Sequence, residues 1–256
     1  MKRGLKIVGL LLAVLVLVPV GFLVATFAGN PELKDGLEPA SGVRLVKDGY
    51  VALFMLEAGE GQVALIDAGN DPEGKVILAE LKRRGLTPDA VKTIFLTHGH
   101  PDHTAACALF PQARVLALAE DAPLAEGKVR GKSPVARVAP MPERHFTVNH
   151  LLKDGETVQV GNLQVRVFAL PGHTPGSAAY LAHGVLFFGD SADARKDGTL
   201  APAKFIFSDD TEQNRASLVA LAARLEPEAG QVKALAFAHT GTLPGFGPLQ
   251  AFADAK

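Results

Sequence analysis

THGHPDHTA, residues 97–105, packs three histidines and an aspartate into the pattern HxHxDH. His98 and His100 stand two apart, and on an extended segment side chains two apart share a face, so both rings can reach one metal ion. Pro101 and Asp102 suit a turn or a helix start, which aims Asp102 and His103 away from the first pair. One short motif can thus serve two ions. With 8 histidines in 256 residues, three at preset positions would arise by chance roughly 3 times in 100,000, which makes a merely polar surface loop a poor account. Imidazole and carboxylate suit zinc first, with iron or manganese as other candidates.

Outward from the cluster, VKTIFLT (91–97) is a β-like run leading straight into it. Before it, VRLV, YVALFMLE and QVALIDAG read as strands separated by KDG and GEGQ turns, and KVILAELKRRGL switches to helical spacing with Gly85 near its end. After it, TVQV and LQVRVFAL flank Gly161 and Asn162, a hairpin signal, while SAAYLA and VLFFGD bracket His183 and Gly184. TEQNRASLVALAARLE suits a helix and VKALAFAH a last strand. His173, Asp190 and His239 each directly follow a β-like segment, as His98 does, and strand ends give the rigid placement a metal site needs. Two strand-rich halves, each with helices, predict an α/β sandwich with helices outside two packed sheets.

The order DAG, HxHxDH, PGHTPGS, FFGD, AHTG resembles the metallo-β-lactamase superfamily over about residues 43–239. The resemblance implies an α/β (α+β) fold, a four-layer αββα sandwich with metals in a cleft along one edge of the sheets. It implies that His98, His100 and His173 hold one divalent ion, that Asp102, His103 and His239 hold a second, and that Asp190 bridges them. Asp67 of LIDAG matches a carboxylate that supports such sites from behind the ligands, although a turn aspartate closing a strand reads equally well locally. The implied activity is hydrolysis of a small ester, lactone, thioester or phosphoester by water or hydroxide activated at a dinuclear centre, with Asp102 orienting the water or delivering a proton. The β-lactam-hydrolysing branches lack the bridging carboxylate, so Asp190 disfavours β-lactams. All seven ligand types match the glyoxalase II and lactonase branches, yet only seventeen residues follow His239, little room for the helical substrate domain of glyoxalase II. The alternatives are a mononuclear-iron sulfur dioxygenase on the same fold and a catalytically silent binding protein.

Charge and composition narrow the partners. The 26 basic and 27 acidic residues give no general field for polyanions, so the expected partner is a small-molecule substrate and not nucleic acid. Lys2, Arg3 and Lys6 precede an uncharged run over 7–28, long enough to span about 30 Å of hydrocarbon. Residues 1–28 therefore read as a transmembrane anchor or a signal segment, 29–42 as a Gly- and Pro-rich linker, and 43–256 as the catalytic domain. That predicts an extracytoplasmic domain tethered to the membrane, periplasmic in a Gram-negative bacterium, or secreted if the segment is cleaved.

Other residues fall outside the pattern. Cys107, the single cysteine, sits in an apolar run and reads as a buried small side chain. His145, His150 and His183 read as surface or locally hydrogen-bonded groups. The basic stretch 127–146 reads as a solvated loop or as a flap bordering the cleft. Phe205 and Phe207 read as core or pocket residues.

Overall fold

The computed structural model describes residues 29–255. The chain divides into two units, Met1–Asn30 and Pro31–Lys256. The expected anchor or signal over 1–28 lies outside the described residues. Among the described residues no helix is long and apolar enough to cross a membrane.

Two six-stranded sheets form the body of the molecule. The first runs β1 (Val43–Asp48), β2 (Val51–Gly59), β3 (Gln62–Ile66), β4 (Val91–Phe95), β5 (Arg114–Leu118), β6 (His150–Leu152), with β3 through β6 parallel. The second contains β7 (Thr157–Val160), β8 (Leu163–Ala169), β9 (Ala178–Ala182), β10 (Val185–Phe187), β13 (Ala234–Phe237) and β14 (Gly241–Pro244), the β10–β13 pair being parallel. A small hairpin of β11 (Ala192–Ala194) and β12 (Leu200–Pro202) completes the strands. The helices are α1 (Lys75–Arg83), α2 (Pro101–Thr104), α3 (Ala122–Ala125), α4 (Thr211–Leu225) and α5 (Gly247–Asp254).

Strand periodicity explains why the sheets stack. In β2, Ala52, Phe54 and Leu56 enter the layer between the sheets, while Leu53 and Met55 face outward onto Ile77 and Leu81 of α1. In β9, Ala178, Tyr180 and Ala182 face inward, while Ala179 and Leu181 face Leu218 and Leu221 of α4 and Leu249 of α5. Both faces of these strands are covered, so they read as unbroken apolar runs without alternation. The result is the αββα order. Tyr180 also donates its hydroxyl to the Leu96 carbonyl (2.6 Å), tying the second sheet to the strand that leads into the histidine cluster.

The expected linker 29–42 forms no long element but lies along β1: Leu33 is buried, the Leu45 amide donates to Leu37 and the Lys47 amide to Asp35. The seventeen residues after His239 contain β14 and α5. On α1, Glu80 is buried and accepts from Arg83 (2.7 Å) and Arg84 (2.6 Å), with Arg44 at 3.1 Å. Burial opposes its charge, but Arg83, Arg84 and Arg44 outweigh it and hold the carboxyl down at about 2. A carboxyl lowered on folding stabilises fully above its unfolded value, 4.5, and that contribution drains away as pH falls towards 2. Urea unfolding of wild type and Glu80→Gln should therefore show wild type losing about 1–2 kcal/mol more than the variant between pH 5 and pH 3, after screening at the half-exposed Arg83. Parallel stability profiles would rule the network out as an acid-sensitive element.

Candidate metal centre

Four of the seven predicted ligands lie just beyond the C-terminal end of a strand, and the sheets bring those ends together. His98 follows β4, His173 follows β8, Asp190 follows β10 and His239 follows β13. After His98, His100 is extended and caps α2, whose Pro101 start turns Asp102 and His103 back towards the cluster. Pro101 fits there because the first helical amide needs no partner.

The side chains gather in three overlapping groups: His98, His100 and His173; His98, His103 and Asp190; Asp102, His103 and His239. Within each group one ligand atom per residue lies within 4.8 Å of the others. All seven predicted ligands are included. His100 Nδ1 stands 3.0 Å from His98 Nε2 and 3.1 Å from His173 Nε2. His239 Nε2 stands 3.1 Å from Asp190 Oδ2 and 3.6 Å from Asp102 Oδ2, and His103 Nε2 3.3 Å from Asp190 Oδ1.

The far ring nitrogens decide which protons are present. Thr97 Oγ1 donates to Asp67 (2.8 Å), so it accepts from His98 Nδ1 (3.1 Å). Ser208 Oγ donates to the Lys204 carbonyl and so accepts from His173 Nδ1 (3.1 Å). His103 Nδ1 donates to Asp67 Oδ2 (2.8 Å), and His239 Nδ1 to the Tyr50 carbonyl (2.9 Å). Four Nδ1–H groups therefore point outward, so that each ring presents Nε2 to the centre, the arrangement metal-ligating histidines take. His103 Nε2 and Asp190 Oδ1 are buried without a hydrogen-bond partner among the described residues. Converging imidazole nitrogens and carboxylate oxygens, together with the orphaned buried atoms, fit divalent cations.

Electrostatics divides the cluster. Burial, reinforced by neighbouring histidines, pushes His98 and His173 well below the ordinary imidazole range, and burial also lowers His100, so these rings are neutral. At His103 burial is outweighed by Asp190, Asp67 and Asp102, which hold it well above that range; at His239 burial is outweighed chiefly by Asp190, giving about 9. Burial would raise Asp190, but His239 and His103 hold it well below the usual carboxylate range.

Asp67 supports the site from behind. Its backbone is left-handed (φ 64°), unusual for a non-glycine residue. From there its carboxylate accepts from the Thr97 amide (2.7 Å) as well as from Thr97 Oγ1 and His103. Gly189 lies against the same group: a Cβ there would meet Thr97 Oγ1 at 2.2 Å, on a backbone with φ +54°. Gly189→Ala should cost about 2–4 kcal/mol in denaturant unfolding, and an unchanged midpoint would show that the Thr97 contact yields freely.

Several groups in and around the site lie outside the motifs. Asp121, fully buried beyond β5, accepts from the Gly99 amide (2.6 Å), the Gly176 amide (2.9 Å) and Thr174 Oγ1 (2.9 Å), joining the two loops that carry His98, His100 and His173. Tyr50 stacks on His239 with ring centroids 5.8 Å apart; burial, then Asp102 and Asp190, push its phenol up to about 12, so it stays protonated at neutral pH. Burial lowers the Arg144 guanidinium from its ordinary value, with Cys107 and Asp102 pulling the other way, and its Nε is buried without a partner among the described residues. None of these carries a local motif.

Residues read as outside the site largely are. His150 pairs with Glu156 (2.9 Å), His183 donates to the Glu57 carbonyl (2.9 Å) and His145 is exposed. Cys107 is buried, and burial pushes its thiol up. The core role for Phe205 does not hold: the residue is 66% exposed, because its short 3-10 turn lies on the rim and not under a sheet.

An αββα sandwich with a strand-end His/Asp cluster defines a metallo-enzyme class of protein. The sequence profile of the metallo-beta-lactamase superfamily matches residues 46–228, and the chain belongs to that superfamily. It is 32% identical over 145 residues to a hydroxyacylglutathione hydrolase of Serratia proteamaculans (strain 568), covering 57% of this chain and 47% of that one. An Aeromonas hydrophila hydroxyacylglutathione hydrolase is 31% identical over 189 residues, covering 72% and 60%. The chain thus spans about half the length of such relatives. Among solved structures, a metallo-beta-lactamase family protein of Thermus thermophilus superposes with a TM-score of 0.60 at 24% identity, covering 83% of this chain and 78% of that one. The subclass B3 metallo-beta-lactamase BJP-1 of Bradyrhizobium japonicum gives 0.61 at 20% identity, covering 89% and 92%. These structures share the fold.

Proposed function

We propose that the chain is a metal-dependent hydrolase of small esters, thioesters or lactones, with phosphoesters behind. The observation that carries this reading is the convergence of imidazole Nε2 atoms, their Nδ1–H groups committed outward, upon Asp190 and Asp102. His98, His100 and His173 would hold one divalent ion, Asp102, His103 and His239 the other, and Asp190 both, with zinc the first candidate. Ions bound there would acidify water and polarise the group under attack. The chain's own part is to fix the ligands through Asp67, Thr97, Ser208 and Asp121, and to place the Asp102 carboxylate where it can orient a water or pass a proton. The hydroxyacylglutathione hydrolase relatives support thioesters.

The test is metal analysis of protein purified without added metal, followed by a panel of aryl esters, thioesters, lactones, phosphodiesters and β-lactams with and without chelator. About two zinc ions per chain and activity that chelation abolishes and zinc restores are expected; turnover surviving complete metal removal would sink the reading, and a single iron would point to oxygen chemistry. The apolar run over 7–28 supports an extracytoplasmic, membrane-tethered location. A C-terminal alkaline phosphatase fusion should be active in bacterial cells, and an inactive but expressed fusion would refute that location.

A further inference from the structure

Segment 127–146 is tied to the metal-ligand cluster from above. The Lys132 amide donates to Asp209 Oδ1 (2.8 Å), and the Asp209 amide donates to the His173 carbonyl (3.0 Å). Gly131 lies over His100: a Cβ built on it would stand 3.7 Å from His100 Nε2. Beyond this latch the chain makes a hydrogen-bonded turn. Arg130 donates to the carbonyls of Ala136 (2.7 Å) and Ala139, the Ala136 amide donates to Ser133 Oγ (3.1 Å), and the Arg137 amide to the Ser133 carbonyl (3.1 Å). The Val135 amide then donates to the Ile206 carbonyl (3.1 Å), seating the turn on Phe205–Phe207, just before the Ser208 that holds His173.

Both pieces turn apolar side chains to solvent. Val138 is 84% exposed and Phe205 66%, with Val135 and Met141 exposed as well. So many hydrogen bonds spent on fixing a turn whose valines face water makes sense when something covers them. The same segment carries five Lys and Arg residues against one acid, Glu143, and Lys132 and Arg137 are exposed beside the valines. A wall that is apolar, cationic and continuous with His100 and His173 calls for a ligand that is apolar and anionic and that reaches the metal centre.

We propose that this wall is the acyl-chain subsite: the substrate is an ester or thioester with an extended apolar acyl group, which lies along Val135, Val138 and Phe205, and with an anionic group that Lys132 and Arg137 attract. The inference rests on the hydrolase reading above and deepens it by naming the substrate class. Each methylene taken out of water strengthens binding by up to about four-fold, so chain length is the natural readout.

The experiment uses the full-length, zinc-loaded chain in phosphatidylcholine nanodiscs, as wild type and as a Val138→Ser, Phe205→Ser double variant. Octanoate and acetate are titrated by calorimetry, and p-nitrophenyl octanoate and acetate are followed kinetically. Wild type should bind octanoate well above acetate. The double variant should bind octanoate at least about ten-fold more weakly and lose a similar factor in kcat/KM on the octanoate ester, while the acetate ester stays within about two-fold. Octanoate binding unchanged by the double substitution, or equal losses on both esters, overturns the proposal. If wild type turns over neither ester, the panel above decides the hydrolase reading, and the octanoate titration still judges the wall by itself. Tryptic cleavage at Lys132 and Arg137 is compared in discs with and without phosphatidylglycerol. Protection that needs the anionic lipid, with octanoate binding indifferent to the double substitution, would assign the wall to a lipid surface and overturn the substrate proposal.

Discussion

Asp190→Ala should cut the metal content from about two divalent ions per chain to about one and lower kcat/KM by roughly 10²- to 10⁴-fold. The size of the effect follows from where the carboxylate sits. Oδ2 is 3.1 Å from His239 Nε2 and 3.8 Å from His173 Nε2, and Oδ1 is 3.3 Å from His103 Nε2, so this one side chain reaches rings from both proposed ion sites. Without it, His103 and His239 keep Asp102, at 3.9 Å and 3.6 Å, with Asp67 behind His103, to balance a cation. The His98, His100 and His173 triad keeps its own partners, Thr97 and Ser208, and should retain one ion. Elemental analysis together with turnover on the best substrate of the panel decides the matter. A variant that holds two ions and works at wild-type rate would show that Asp190 does not bridge.

What could be seen in the sequence beforehand has a common physical character. Strands buried on both faces must be apolar at every position, which is why YVALFMLE and QVALIDAG stand out as β2 and β3. Ligands must be rigid, so His98, His173, Asp190 and His239 come directly after such runs. β5 escaped notice because ARVLALA is as good a helical run as a strand; only its parallel pairing with β4 and β6 settles it. The groups that hold the ligands escaped for a related reason. Ser208 meets His173 across 35 positions, and Asp121 meets Gly176 across 55, so the local sequence has no reason to mark them. Core and pocket stay open for Phe205 in the sequence because an aromatic in a short apolar stretch suits either, and only the fold excludes the core.

Asp121 yields the second large effect, and it separates support from ligation. Burial pushes its carboxyl up, against the pull of Thr174, Gly176 and Gly99, so the group is costly to keep charged and is held by the bonds it accepts. Those bonds join the loop of His98 and His100 to the loop of His173. In Asp121→Ala two buried amides and one hydroxyl lose their acceptor, at about 1–3 kcal/mol each, and partial repair by water leaves an expected loss of about 3–5 kcal/mol. Asp121→Asn keeps one acceptor oxygen and should lose about 1–2 kcal/mol. Urea unfolding in chelator reads the fold alone, and zinc titration afterwards reads the ligands. Alanine should weaken zinc binding at the His98, His100 and His173 triad even under conditions where the protein remains folded, because the two loops are no longer held in register, with asparagine intermediate. If alanine unfolds at the wild-type urea midpoint and binds zinc normally, the loops are positioned by the sheets alone and the carboxylate has no part in it.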